Sequence, residues 1–140
     1  MTNRNEANEI EYLRRENEEM KQYVFQSERK LFQKMDSYRF VSQKSKIKCL
    51  TPTERRQLFM DINYVFTLSI KTIKQACAGL TEEDVMYSCL AKTGLDSQSI
   101  SNCMGSASRQ SINQRKYRIK KKMKAANSEN LFSLIFNCLE

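Results

Sequence analysis

The scarcity of helix-breaking residues is the feature of this sequence that most restricts its fold. The 140 residues include three glycines and one proline. These four residues, Pro52, Gly79, Gly94 and Gly105, separate segments whose apolar residues recur at helical spacing. Leu, Met, Lys, Glu and Arg, which favour helices, are frequent throughout. The sequence therefore predicts an all-α protein in which the glycines and the proline mark helix boundaries.

Residues 6–42 are predicted to form one long helix because no glycine or proline interrupts them. With Ile10 at heptad position a, the first half of this segment fits a coiled coil, and Asn17 at another a position is typical of register-fixing residues. We expect residues 1–48 to be a dimerisation helix in a parallel homodimer, through Ile10, Leu13, Asn17, Met20, Val24 and Leu31. The alternative is an amphipathic helix that packs on its own chain.

A second helical region is predicted after a short polar segment. Residues 42–48 are polar and basic and are predicted as a hinge or frayed joint. Thr51 and Glu54 then form the pattern of a capping box around Pro52, which marks a helix start. The apolar stripe that follows ends near Gly79. Residues 49–79 are expected to connect the N-terminal helix to the rest of the chain.

Residues 80–140 are predicted to form a further domain of four short helices. Their expected N-caps are Thr81 (with Asp84), Asp96 or Ser97, Ser108, and Asn127 or Ser128. The last helix carries apolar residues that need a surface to cover them: Leu131, Phe132, Ile135 and Leu139.

The net charge of the chain is concentrated in the third of these helices. The chain has 24 Lys and Arg residues against 16 Asp and Glu residues, and its net charge is +8. Residues 109–124 contain eight of the basic residues and no acidic residue, so the rest of the chain is neutral. A neutral protein with one basic segment is suited to binding a polyanion. The alternative is a solvated helix face or a nonspecific anion patch.

Residues 80–123 have the layout of a helix-turn-helix: a helix, a short helix, a glycine-containing turn and a basic helix. They resemble the C-terminal effector domain of LuxR/GerE-type transcriptional regulators, with matches at Leu80, Thr81, Gly94, Asp96, Ile100, Met104, Ser108, Ser111, Ile112, Ile119 and Met123. The sequence departs from the family pattern at Ser99, Ser101 and Arg115, and its interval from Met104 to Ile112 is one residue longer. The resemblance implies a C-terminal DNA-binding domain whose partner is double-stranded DNA, read in the major groove by helix 108–123.

Helical geometry divides the basic helix into two faces. At about 100° per residue, Ile119 and Met123 fall on the same inner side as Ile112, and polar side chains fall opposite them. In a recognition helix, the N-terminal residues contact the bases and the basic C-terminal end contacts phosphates. Backbone amides at the start of a helix, here the short helix that begins near Ser97, bind phosphate. We predict base contacts from Arg109, Gln110, Asn113, Gln114 and Tyr117, and phosphate contacts from Ser97, Gln98, Arg118, Lys120, Lys121, Lys122 and Lys124. Tyr117 could instead pack against the last helix.

The composition argues against an enzyme. The sequence has no histidine, no CxxC pair and no glycine-rich phosphate loop, so no catalytic residue, metal, cofactor or small-molecule ligand is predicted. Apolar neighbours predict buried free thiols, as in a reducing cytosol, for Cys49, Cys77, Cys89, Cys103 and Cys138. No apolar run approaches the ~20 residues of a membrane span, and the polar N-terminus does not resemble a signal peptide, so a cytoplasmic protein is expected.

Other functions stay open from the sequence. The coiled coil and the apolar last helix could form a protein-interaction module, to which the basic helix adds nonspecific nucleic-acid binding. Region 4 of sigma factors uses a similar helix-turn-helix. RNA binding is less favoured because the aromatic pattern of single-strand readers is lacking. The chain could equally be a small autonomous regulator or part of a larger sensor.

Overall fold

The structure, a computed structural model, describes residues 3–105 and 108–136. Within them the chain is helical and contains no strand, which confirms the all-α prediction. The helices are α1 (Asn3–Gln33), α2 (Asp36–Lys44), α3 (Pro52–Val65), α4 (Thr67–Ala76), α5 (Glu82–Lys92), α6 (Ser97–Cys103), α7 (Arg109–Ala125) and α8 (Glu129–Phe136). None of these helices is long and apolar enough to cross a membrane. The predicted burial of Cys138 and Leu139 concerns residues outside the described ranges.

The long N-terminal helix is present, but it ends earlier than predicted. The chain turns at Lys34 and Met35, and α2 follows as a separate helix. The turn brings Tyr38 to the ring of Phe32, with 5.7 Å between ring centroids, and buries Val41 in the same core. In one continuous helix, Val41 would lie about 13 Å beyond Phe32 along the axis. Burial of the α2 side chains therefore outweighs the local preference for a longer helix.

The second half of α1 packs on its own chain through a face that the heptad pattern did not predict. Phe25 and Phe32 are fully buried, and Phe32 meets Phe66 at 5.5 Å between ring centroids. Leu31, the last residue of the predicted dimer seam, is 57% exposed. Of the other seam residues, Ile10, Leu13, Asn17 and Met20 are exposed and Val24 is half-buried. Asn17, Met20 and Val24 border a shallow groove between α1 and α4.

The connector region is two helices instead of the predicted single one. The predicted capping box is present: the Thr51 hydroxyl accepts from the Glu54 amide at 3.2 Å, and the Glu54 carboxylate accepts from the Thr51 amide at 2.8 Å. The chain bends at Phe66, which provides no side-chain cap for α4. Glu28 of α1 replaces this cap by accepting from the amides of Leu68 and Ser69 at 3.0 and 2.8 Å. A contact distant in sequence thus satisfies amides that the start of a helix leaves free.

The predicted hinge at residues 42–48 is wrong. Helix α2 extends through Lys44, and Ser45 is completely buried. The Ser45 carbonyl accepts a hydrogen bond from the side-chain amide of Asn102 at 2.6 Å, and the Leu50 amide donates to the Asn102 carbonyl at 3.1 Å. These bonds fix the joint to α6.

The boundaries predicted for α5, α6 and α7 agree with the structure. The hydroxyls of Thr81 and Ser108 and the carboxylate of Asp96 cap the three helices. Gly94 and Gly105, which follow α5 and α6, have φ values of 94° and 69°, in the left-handed region that favours glycine. Helix α8 covers α5 and α7 and buries its apolar residues Leu131, Phe132, Ile135 and Phe136.

One apolar core joins the three regions that the sequence divided at residues 48 and 79. It extends from Phe25 in α1 through Leu58 in α3 and Leu90 in α5 to Ile135 in α8. Cys77, Cys89 and Cys103 lie within it as predicted, and burial raises the pKa of the Cys103 thiol to about 12. Cys49 is exposed, contrary to the prediction, because residues 46–49, between the buried residues Ser45 and Leu50, lie on the surface.

Candidate nucleic-acid interface

The rotation of α7 about its axis is fixed by three buried side chains. Ile112, Ile119 and Met123 face the core, as the helical geometry predicted, and α6 and α8 pack against this helix. Ser108 caps the helix by accepting from the Ser111 amide at 3.1 Å. The opposite side of α7 consequently faces solvent.

The outward face of α7 contains all five residues predicted to read bases. Arg109, Gln110, Asn113, Gln114 and Tyr117 are exposed, as are the predicted phosphate ligands Arg118, Lys120, Lys121 and Lys124. Tyr117 is 59% exposed, and the Lys121 ammonium lies 5.0 Å from the centroid of its ring. One edge of Tyr117 borders the groove towards α8, so the ring is not packed into the core. This face combines amide groups, one aromatic ring and cations.

A second side of α7 faces acidic residues of α5. The Arg115 guanidinium contacts Asp84 at 2.9 Å and Glu83 at 3.0 Å, and the Lys122 ammonium lies 3.4 Å from Asp84. Lys122, predicted as a phosphate ligand, is thus paired within its own chain. Two of the eight cations of the segment are partly neutralised before any ligand binds.

Asp84 is the centre of this cluster. It is only 4% exposed, and its carboxylate also accepts from the Thr81 amide at 3.1 Å. Burial alone would raise the pKa of Asp84, but the hydrogen bonds from Thr81 and the charge of Lys122 outweigh it, so the pKa lies below its ordinary value. The carboxylate is therefore charged at neutral pH.

The sequence pattern predicted Asp84 only as part of a capping box. A further signal was present, because Arg115 and Lys122 are seven residues apart and fall on one side of a helix, beside the inner stripe. Two cations next to a buried stripe need an acidic partner on the neighbouring helix.

The third side of α7 borders α8. The ammonium groups of Lys116 and Lys120 lie 5.4 and 5.8 Å from the ring centroids of Phe136 and Phe132. Between the two helices is a groove of about 450 Å³, lined by Asn113, Lys116, Tyr117, Lys120, Lys124, Glu129, Phe132 and Ser133. The lysines at 116, 120 and 124 form a row along one edge of the outward face.

The start of α6 already has an anionic partner. The Asp96 carboxylate accepts from the Ser99 amide at 2.8 Å. This hydrogen bond, with the nearby charge of Arg109, holds the pKa of Asp96 below its ordinary value. Ser97 and Gln98, predicted to contact phosphate here, are exposed beside this carboxylate. A phosphate bound to the α6 amides would meet the charge of Asp96.

Comparison with known proteins gives no match: no family model, no curated protein and no solved structure is similar to this chain. Among residues 3–105 and 108–136, no group of His, Cys, Asp and Glu side chains could hold a metal ion.

Proposed function

We propose that this protein is a sequence-specific DNA-binding transcriptional regulator that reads the major groove with α7. The observation that carries the proposal is the outward face of α7, on which Gln, Asn, Arg and Lys side chains are exposed together. Gln and Asn form bidentate hydrogen bonds with adenine, and Arg does so with guanine. Such a regulator acts on DNA in the cytoplasm.

The packing of α5, α6 and α7 supports a helix-turn-helix of the LuxR/GerE type. Helix α6 packs against both α5 and α7, and the turns on its two sides contain Gly94 and Gly105. The apolar positions that carry the resemblance are buried or half-buried: Leu80, Ile100, Met104, Ile112, Ile119 and Met123. The residues shared with the family are thus those that would position a recognition helix.

The exposed cations of α7 are proposed to contact phosphates from two positions on the helix. Arg118, Lys121 and Lys124 contact phosphates from the outward face, with Lys116 and Lys120 beside them at the edge towards α8. Each phosphate that a cation neutralises makes the slope of log K against log salt concentration more negative by about 0.9. Lys122 contributes less because Asp84 already pairs with it.

Two alanine substitutions separate base reading from electrostatic attraction. We expect Gln114→Ala to weaken binding to a site selected in vitro from random DNA by about tenfold and to leave binding to a scrambled duplex unchanged. Lys121→Ala is expected to weaken binding to both duplexes equally and to reduce the magnitude of the slope of log K against log salt concentration by about 1. Fluorescence anisotropy titrations of both duplexes over a range of KCl concentrations measure these effects.

Lys122→Ala is the matched control for Lys121→Ala, because the two lysines are adjacent and only Lys122 is paired with Asp84. Its effect on the salt slope should be smaller. Equal losses on both duplexes for Gln114→Ala would contradict base reading. Selected-site binding that disappears in excess random DNA at ~0.15 M salt would indicate nonspecific adhesion by an interaction module instead.

The proposed regulator is a homodimer that pairs through the first half of α1. Ile10 and Leu13 project there without cover from their own chain. In a parallel pair, Glu9 of one copy would face Arg14 of the other. A dimer would engage two half-sites and double the number of phosphate contacts.

A single charged residue in the seam tests the dimer. We expect Leu13→Asp to raise the dimer dissociation constant at least about tenfold, because a carboxylate would be buried between two helices. Tyr12→Asp is the control: Tyr12 and Leu13 are 57% and 56% exposed, but Tyr12 lies off the seam. Sedimentation equilibrium of the full chain measures both variants. A wild-type chain that stays monomeric at every concentration would rule out this pairing.

A further inference from the structure

Both turns that flank α6 are held by residues that precede the proposed DNA-binding region. We propose that this attachment makes the spacing between two half-sites a determinant of DNA recognition, with α1 setting the separation of the two α7 helices. The inference rests on the proposed function. The preferred ligand is then a duplex in which two half-sites are separated by one fixed spacing, so that both face the same side of the DNA. Two half-sites at any other spacing would bind less tightly.

The end of α1 lies directly on the turn between α5 and α6. The Gln33 side-chain amide donates to the carbonyl of Thr93 at 2.8 Å, and Thr93 is completely buried. A Cβ atom on Gly94 would lie 3.3 Å from Gln33 Nε2 and 3.5 Å from Arg29 Nη2. The side chains of Arg29 and Gln33, which are four residues apart on α1, therefore cover the turn between α5 and α6.

Gly105, which follows α6, is contacted from α3 in a similar way. A Cβ atom on Gly105 would lie 2.6 Å from Arg55 Nη1, so the guanidinium rests against the glycine. Between the two turns, the Asn102 side-chain amide donates to the carbonyl of Ser45, and the Leu50 amide donates to the carbonyl of Asn102. Helix α6 is thus held by contacts before its start, in its last turn at Asn102, and after its end at Gly105.

No break in the chain separates the dimer seam from this attachment. Helix α1 is continuous from Asn3 to Gln33, and its 31 residues span about 46 Å. The exposed residues Ile10 and Leu13 and the attached residues Arg29 and Gln33 belong to the same helix. Among the residues that the structure describes, the first turn follows Gln33. The orientation of the paired α1 helices therefore determines the orientation of α6. Because α6 packs against α7, it also determines the orientation of α7.

Two recognition helices that are held in fixed positions bind both half-sites only when the major grooves of both half-sites face the protein. A change of about 5 bp, half a turn of B-DNA, turns the second half-site to the opposite side of the duplex. The dimer then loses the contacts of one protomer. A flexible link between α1 and α6 would let the second protomer follow the groove, so spacing would matter little.

The test uses the full chain and duplexes that carry two copies of an in vitro-selected half-site, with the spacing varied in single base pairs. For the wild type we expect affinity to peak at one spacing and to fall by about tenfold or more half a turn away. Insertion of seven glycines after Met20 would place a flexible link between the dimer seam and the half of α1 that the core holds through Phe25 and Phe32, and should flatten this profile to within about threefold and leave binding to a single half-site unchanged. Insertion of seven alanines at the same position keeps a continuous helix and the heptad register, and should keep one preferred spacing.

Three outcomes separate this inference from the proposed function. Selective binding of a single half-site with a flat wild-type spacing profile would overturn the inference and retain the proposed function. Without selective binding of any half-site, the proposed function fails and the inference with it. Hydrogen exchange without DNA gives a further test: Arg29→Ala combined with Gln33→Ala should exchange the Gly94 and Leu95 amides about tenfold faster than the wild type, with α7 unchanged. Unchanged exchange at this turn would show that α1 does not hold it, and would overturn the inference.

Discussion

Replacing Asp84 by alanine is expected to lower the free energy of unfolding by about 2–4 kcal/mol. The change removes half of the capping box of α5 and leaves Arg115 and Lys122 without the carboxylate that they share. Removal of one partner from a fully buried ion pair costs about 3–5 kcal/mol, and the partial exposure of both cations reduces this value here. Urea unfolding followed by circular dichroism measures the loss.

Two other variants show which part of the loss is electrostatic. Asp84→Asn keeps a hydrogen-bond acceptor for the Thr81 amide and removes the charge, so its loss should be smaller than that of Asp84→Ala. Glu82→Ala removes an exposed acid of the same helix, whose ion pair with Lys74 is also exposed, and should change stability by less than about 0.5 kcal/mol. If Asp84→Ala were no more destabilising than Glu82→Ala, the cluster would not stabilise the fold.

The pH dependence of the Asp84 contribution has a definite sign. Because the pKa of Asp84 is lower in the folded protein than in the unfolded chain, folding favours the carboxylate. The stabilisation is therefore fully present above the ordinary aspartate pKa of about 4 and is lost as the pH falls through the folded-state pKa. The difference in unfolding free energy between wild type and Asp84→Asn should shrink over that acid range.

Phe32→Ala is expected to destabilise the protein by about 3–5 kcal/mol, the usual loss for a large aromatic side chain in a core. The Phe32 ring is completely buried between Tyr38 and Phe66, and joins α1 to α2 and to the bend between α3 and α4. Total stabilities of about 5–15 kcal/mol are usual for proteins, so this variant loses a large share of its free energy of unfolding. Chemical denaturation at one fixed protein concentration measures the effect.

Leu31→Ala is the matched control for Phe32→Ala, because the neighbouring side chain is 57% exposed. It should lower the unfolding free energy by less than about 1 kcal/mol. Equal effects of the two substitutions would mean that α1 is not attached to the core through Phe32. The pair thus compares the face of α1 that packs on the core with its exposed face.

The C-terminal helices were predictable because their boundaries depend on nearby residues. Thr81, Asp96 and Ser108 each cap a helix by accepting from an amide three residues ahead, and Gly94 and Gly105 allow turns with positive φ. Such signals lie within a few residues of one another, and neither depends on the rest of the fold.

The N-terminal region was less predictable because distant residues decide its breaks. The bend at Phe66 depends on Glu28, 40 positions before Leu68, and the fixed joint at Ser45 depends on Asn102. The heptad pattern of α1 describes a real exposed stripe, but it does not predict that Phe25 and Phe32 bury an adjacent face. Several residues on one helix are apolar, and only the neighbouring helices determine which of them meet a partner.

The sequence by itself determined the all-α class, the inner stripe of α7 and the exposed amide and basic face opposite it, because helical periodicity follows from residue spacing alone. Only the tertiary structure decided which of the eight cations of residues 109–124 remain available. The fold brings Asp84 to Arg115 and Lys122, and places Phe136 and Phe132 beside Lys116 and Lys120. These contacts join residues far apart in the chain, so they form only when α5 and α8 pack against α7.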